Sequence, residues 1–390
     1  MASNAELVEL TKKYLTPNYG RAPLAMVRGA GSRIWDADGK EYIDLFPGFG
    51  AGGVAGHCHP AIVAALTEQA RTLLSHGNTF TNPPQVELAR ALAEKGFGGM
   101  TFYCHSGAEA NEAALKLARL TAGEGRYKII SFHGCFHGRT MGALSLTPEK
   151  YQKGFEPMLP GNVKVDYMDL DAVTAAVDEE TAGIIVEPIQ GEGGVNVPTV
   201  EYMQGLRALC DARKLALISD EVWTSPARTG KWFAYQHYGI APDILTLGKA
   251  TGGGVPVAAC VAKPALGEQL VPGTHGCTMG GNPLCAAAGA ATMRLIEEEN
   301  LLDAAVSKGA AITEMLRSAG IGRIKQVRGK GLMIGIELDA PGKEVHAACM
   351  ERGLIINCTQ ETVLRLAPAL VISEADLSEG MEILIDVLKA

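Results

Sequence analysis

Lys249 stands at the end of a short apolar run, Ile244, Leu245 and Leu247, just ahead of Gly252, Gly253 and Gly254. An ammonium there needs a reason, because lysines are almost never buried without a partner. A phosphate loop is excluded by the order of residues. In such a loop the glycines precede the lysine, so that backbone N–H groups surround the phosphates before the lysine opens a helix. Two readings remain: a strand-end lysine reaching for solvent, or a lysine kept for its amine chemistry. Asp220 and Glu187 end two other apolar runs. Ligands of open parallel sheets gather at the carboxyl ends of strands. Three such residues on neighbouring strands therefore form either a salt bridge or a reactive centre.

The stretch CHSGAEANEAALKLAR, residues 104–119, starts a periodic helix abruptly. Ser106 and Glu109 fit a capping box, which accounts for both. Gly107 and Ala108 at the first helical positions let an anion approach the free N–H groups, with the helix dipole in its favour, although small residues there also serve close packing. An anion site, a strand-end lysine and a strand-end aspartate together meet the needs of pyridoxal 5'-phosphate. Its aldehyde takes a lysine, its phosphate a helix N-terminus, and its pyridine nitrogen an acid that keeps it protonated.

The elements that must position these residues are short apolar strands between amphipathic helices: 128–132, 183–189, 215–221, 243–247 and 257–262. Near-continuous apolar strands alternating with helices predict an α/β fold whose mostly parallel sheet is covered on both faces. After about residue 285 the pattern changes to long helical stretches, AATMRLIEEENLLDAAV and AAITEMLRSA, then the strand-like GLMIGIEL and VLRLAPALVI. These predict a smaller α+β domain.

The 390 residues suffice for two or three domains, and 47% hydrophobic with 20% charged residues is ordinary globular composition. A net charge of -8 argues against a nucleic-acid surface. No apolar run approaches the length of a membrane span and no signal-peptide core is visible, so a cytoplasmic protein is expected. Nine dispersed cysteines without a CxxC pair suit a reducing compartment. In His57-Cys58-His59, adjacent side chains of one extended segment point apart and no second ligand pair follows, so no metal is expected.

Seven ordered motifs run nearly end to end: CHSGAEANEAALKLAR, SFHGCFHGRT, GIIVEPIQGEGGV, ISDEVWTSPARTGKWFAYQHYGIAPDILTLGKATGGG, HGCTMGGNPL, RGKGLMIGIEL and LRLAPALVI. In them the chain resembles the class III, ornithine-type aminotransferases of fold-type I. That resemblance implies that Lys249 is the Schiff-base lysine and Asp220 the partner of the pyridinium. It implies that Ser106, Gly107 and Ala108 hold the phosphate, while Phe136 and Val222 cover the two ring faces. Thr278 matches a threonine that reaches the neighbouring subunit's cofactor, implying a homodimer with active sites at its interface. Arg139 matches the grip on the substrate α-carboxylate, and Arg365 a second grip masked by Glu192. The implied large domain spans 46–284, and 1–45 with 285–390 form the small one.

Three departures from the family pattern stand out. Trp223 replaces a glutamine that contacts the cofactor's phenolic oxygen; Cys277 replaces a serine near the substrate; TSPARTG replaces TGVGRTG. The glycine-rich FPGFGAGGVAGHCHP falls where relatives line the substrate entrance. The expected reaction moves the terminal amine of an ornithine-type donor, N2-acetylornithine first, to 2-oxoglutarate. Ornithine, succinylornithine, 4-aminobutyrate or an aminomutase reaction of the glutamate-semialdehyde type are the alternatives.

Overall fold

The computed structural model describes residues 2–390. Strands β1 Met26–Ala30, β2 Arg33–Asp36 and β3 Glu41–Asp44 open the chain. The middle holds β4 Met100–Cys104, β5 Lys128–Phe132, β6 Asn162–Val165, β7 Thr181–Val186, β8 Ala216–Asp220, β9 Ile244–Leu247 and β10 Ala258–Ala262. Last come β11 Ile324–Lys330, β12 Met333–Leu338, β13 Leu354–Ile355, β14 Asn357–Thr359 and β15 Val363–Leu366.

The seven middle strands form one sheet in the order β4-β10-β9-β8-β7-β5-β6. From β9 to β6 every pairing is parallel, while β10 runs antiparallel to both its neighbours. The expected mostly parallel sheet is therefore present, with one reversed strand. That reversal has a use. Because β10 opposes both β9 and β4, those two strands point the same way. Pairing of Ala258 with Cys104 and of Ala259 with Leu247 then brings the turn after β4 to the edge that carries Lys249. β7, β9 and β10 are buried along their whole lengths, as strands covered on both faces must be.

Two further sheets flank this one. β1, β2 and β3 pair antiparallel, and β13 adds to β3 in parallel, so residues from the two ends of the chain share a sheet. β11, β12, β15 and β14 form an antiparallel sheet. The helix Pro283–Glu298 packs on the helices Pro60–Thr72 and Pro83–Lys95 and on the turn Lys249–Gly252.

Two expected elements are divided. AATMRLIEEENLLDAAV holds the end of one helix and the start of the next, Leu301–Ser318, because Asn300 takes a left-handed conformation between them (φ 49°). Asparagine tolerates that region better than most residues. VLRLAPALVI is a strand only to Leu366. Pro368 has no N–H for a ladder, and the buried chain beyond β15 bonds instead to other loops, through Ala367 N–H to Leu45 O and Leu370 N–H to Gly53 O.

Arg228 ties that segment down. Its buried guanidinium donates to the carbonyls of Leu332, at 3.2 Å, and of Pro368 and Gly53. Burial alone lowers its pKa to about 9. Arg228→Met would keep the stem and orphan three buried acceptors, each worth about 1–3 kcal/mol. Denaturant unfolding of this variant should show a loss of about 3 kcal/mol or more, and an unchanged midpoint would contradict the bracing role.

Candidate active site

Three neighbouring strands end at one edge. β7 leads into Glu187, β8 ends in Asp220, and β9 is followed by Gly248 and Lys249. The parallel registers, Val186 beside Ser219 and Asp220 beside Thr246, set these residues side by side. Lys249 itself is in the left-handed region (φ 44°) at the first position of a single helical turn. For a lysine this backbone conformation is uncommon and marks a constrained position. Enclosure lowers the Lys249 amine below its ordinary pKa, against the opposing pull of Asp220, Glu192 and Glu187.

Asp220 is almost fully buried, and both of its oxygens are used. Oδ2 accepts from Asn111 Nδ2 at 2.7 Å and lies 2.7 Å from His137 Nδ1, while Oδ1 accepts the Val222 N–H at 3.1 Å. Asn111 also donates to His137 O and accepts from Thr246 Oγ1, so its amide is saturated. Burial drives His137 toward neutrality, but the proximity of Cys135 and the bond to Asp220 outweigh it and hold its pKa well above the ordinary value. His137 thus sets a positively charged partner against the buried Asp220 side chain.

Glu187 organises the other side. Its carboxylate accepts the N–H of Phe136 at 2.8 Å and of Gly191 at 3.0 Å, joining the Phe136–Arg139 turn to the Gly191–Glu192 turn. Desolvation raises Glu187 to about 7, opposed by His137 and helped by Asp220.

At the near end of the sheet Ser106 caps the helix Gly107–Ala122 through the reciprocal box with Glu109. A Cβ on Gly107 would come within 2.5 Å of Val222, so only glycine lets this helix start so close to the β8 loop. Gly107 and Ala108 are half-buried at that start, and Ser106 is exposed.

Arg365 is buried in β15. It donates to Asn357 Oδ1 at 2.7 Å, Gly191 O at 3.1 Å and Glu192 Oε1 at 2.9 Å. Its guanidinium stacks on Trp223, 4.9 Å from the ring centre, and on Phe46 at 5.1 Å. Trp223 packs closely against both Gly50 and Gly191; a Cβ on either would fall within 2.3 Å of the indole. The Lys249 amine is 5.8 Å from the Trp223 ring centre, and the indole N–H is buried without a partner. Arg139 is exposed and stacked on Tyr151 at 4.1 Å and on Phe136 at 5.4 Å. Among the described residues no carboxylate pairs with it. Cys277 and Thr278 sit in the loop after β10, half-buried and exposed, with Cys277 Sγ 3.5 Å from His105 Nδ1.

Pyridoxal phosphate fits this donor set: an amine whose pKa burial lowers, a buried carboxylate locked in place, the N–H groups of Gly107 and Ala108 beyond the capping box, and an indole N–H without a partner among the described residues. Residues absent from the expected set also belong here. Asn111 and His137 are polar side chains within apolar surroundings, and that conflict of pattern was their only sequence signal; Glu187 was expected at a strand end beside Asp220 and Lys249, without the backbone contacts it makes. Phe46 had none.

The pattern of the family described as aminotransferase class-III matches residues 14–388. Acetylornithine aminotransferase of Caldanaerobacter subterraneus subsp. tengcongensis is 45% identical, covering 98% of this chain and 99% of the relative. Acetylornithine aminotransferase of Methanopyrus kandleri is 46% identical over 98% of both chains. Among solved structures, an ornithine aminotransferase from Toxoplasma gondii with pyridoxal phosphate at partial occupancy superposes with a TM-score of 0.94. It is 34% identical, over 99% of this chain and 94% of that one. Acetylornithine aminotransferase of Elizabethkingia anophelis gives 0.88 at 32% identity, over 100% and 99%.

The raised pKa of Glu187 carries a pH signature. Between its ordinary value of 4.5 and about 7 the folded protein binds more protons at this site than the unfolded chain. The Glu187 contribution to stability is therefore full below that window and is lost as pH rises through it. Glu187→Gln should remove this component. Unfolding midpoints measured across pH 5–8, a range of roughly three units, should be flatter with pH in the variant; parallel profiles would contradict the assignment.

Proposed function

This chain belongs to the class-III aminotransferases, and from that premise we propose that it moves the terminal amine of N2-acetylornithine to 2-oxoglutarate. The products are N-acetylglutamate 5-semialdehyde and glutamate, a step of arginine biosynthesis. When bound, pyridoxal 5'-phosphate supplies an electron sink for the amine-bearing carbon and carries nitrogen between the half-reactions. Ser106, Gly107 and Ala108 hold its phosphate, Phe136 and Val222 enclose its ring, and Trp223 donates toward its phenolic oxygen. The Asp220 carboxylate, held by Asn111 and His137, supplies the negative charge opposite the ring nitrogen.

Lys249 anchors the cofactor and then works as a base. Its Nζ would then take the proton from the donor carbon that bears the amine and hold it for return. Enclosure lowers the Lys249 pKa, which favours the proton-accepting form relative to a free lysine. Lys249→Ala removes both roles and should slow turnover by several orders of magnitude and remove the imine absorption band of the loaded enzyme. Retention of both would end the assignment.

The observation that carries the choice of donor class is the state of the two arginines. Glu192 neutralises Arg365 while Arg139 stands free of carboxylates, which suits a substrate that brings one α-carboxylate and presents its far amine. A planar fork on Arg139 matches that carboxylate. Glutamate differs, since it presents its α-amine and brings a second carboxylate near the ring. Arg365 serves it once Glu192 swings away, with Cys277 beside the substrate.

Thr278 is exposed on one chain, as expected of a residue that reaches the cofactor of a second copy, and the active unit is a homodimer. The small domain comprises 1–45 and 285–390, closing over the large domain 46–284. No helix among the described residues is long and apolar enough to cross a membrane, and the nine free cysteines suit a reducing cytoplasm.

N2-acetylornithine should give the highest kcat/KM in a panel with ornithine, succinylornithine and 4-aminobutyrate. A better donor in that panel would overturn the donor assignment, and turnover without 2-oxoglutarate would indicate an aminomutase. Arg139→Ala should cost about 2–5 kcal/mol in both half-reactions. Arg365→Ala should impair mainly the half with glutamate, and Glu192→Ala should favour α-amine over terminal-amine donors. Single-turnover rates separate these outcomes, and equal losses in both halves for Arg365→Ala would sink the two-grip arrangement.

A further inference from the structure

His105, Glu109 and Cys277 meet at the edge of the site described above, from the turn after β4, the first turn of the following helix and the loop after β10. All three are half-buried, and one donor atom from each lies within 4.8 Å of the other two. Their roles are divided. Glu109 Oε2 is saturated by the N–H groups of His105 and Ser106 and by the Ser106 hydroxyl. Oε1 faces only His105 Nδ1, at 3.3 Å. Cys277 Sγ is 3.5 Å from the same Nδ1 and 3.9 Å from Nε2.

We propose that His105, Glu109 and Cys277 form a binding site for a thiophilic divalent cation, with zinc as the type ion. A tetrahedral zinc with bonds of about 2.3 Å to sulfur and about 2.0–2.1 Å to nitrogen and oxygen separates sulfur from nitrogen by about 3.6 Å. Nitrogen and oxygen then stand about 3.4 Å apart. The observed separations of 3.5 and 3.3 Å match those edges. One imidazole, one thiolate and one carboxylate are a donor set that favours zinc over magnesium or calcium, which take oxygen ligands. Three protein ligands leave the fourth position to water. Because the capping box uses only Oε2, metal at Oε1 leaves the helix cap intact.

The cation would tie the turn that opens the helix Gly107–Ala122 to the loop that carries Thr278. Those segments are 172 residues apart in sequence, which is why no ligand spacing announces the site. The His57-Cys58-His59 run is different. His57 Nε2 is taken by Asp44 at 3.0 Å, His59 faces Glu299, and Cys58 is exposed between them.

The test uses the untagged holoenzyme, freed of adventitious metal by a chelator and titrated with zinc in a calorimeter, in the presence of excess magnesium. The expected result is one zinc per chain. His105→Gln and Cys277→Ser should each weaken binding at least tenfold, and Cys58→Ser should leave it unchanged. Circular dichroism and cofactor absorbance confirm that each variant is folded and loaded. Because the thiol loses its proton on binding, wild-type affinity should rise with pH, and this dependence should diminish in Cys277→Ser. No binding by the wild type, equal affinity in wild type and both site variants, or displacement by magnesium would overturn the proposal. None of these readouts depends on which amine the enzyme uses.

Discussion

A lysine amine inside a protein can serve as a base only if its surroundings suppress its charge without expelling it, and the architecture at the strand ends follows from that constraint. Enclosure depresses Lys249, while Asp220, Glu192 and Glu187 pull the other way and Arg365 adds to the depression. A buried carboxylate left unpaired would undo the balance, because an uncompensated charge in low dielectric either recruits a proton or destabilises the fold. Each is accordingly occupied. Asp220 has Asn111 and His137, Glu187 has two backbone N–H groups, and Glu192 has Arg365. Parallel pairing of β7, β8 and β9 supplies the closeness, and hydrogen bonds supply the charge states.

Trp223 is the second determinant of the site's shape. An indole needs room, and glycines at 50 and 191, where a Cβ would fall within 2.3 Å of the ring, provide it. The ring then gives Arg365 an apolar, electron-rich surface, shared with Phe46, against which a buried cation is held without a second carboxylate. Besides Glu192, Arg365 is held by Asn357 Oδ1, Gly191 O and two aromatic faces, so its position does not rest on that ion pair alone.

Behind the site the frame is braced by buried polar groups rather than by apolar packing alone. Glu221, next to Asp220, is fully buried and accepts from Thr224, Ser225 and the N–H groups of Ala234 and Tyr235. Arg228 binds three carbonyls drawn from the glycine-rich segment, the chain just ahead of β12 and the chain beyond β15. These networks join the loop after β8 to both ends of the chain, so the wall carrying Trp223 and the strand carrying Arg365 hold a fixed spacing.

Local pattern was enough for the features whose causes are local. The apolar runs that became β5, β7, β8, β9 and β10, the Ser106–Glu109 box and the change of texture near residue 285 were legible because strand burial and helix capping act within a few residues. Arg139, Arg365 and Glu192 drew attention only through the family resemblance. Tertiary structure alone decided that β10 runs backwards and so returns the turn after β4 to the Lys249 edge. It also decided that Asn111 and His137 hold Asp220, that Gly50 and Gly191 leave room for Trp223, and that His105 and Glu109 meet Cys277. Each of these depends on which segments the strand order and register bring together, and a one-dimensional pattern carries the period of an element but not the identity of its neighbour.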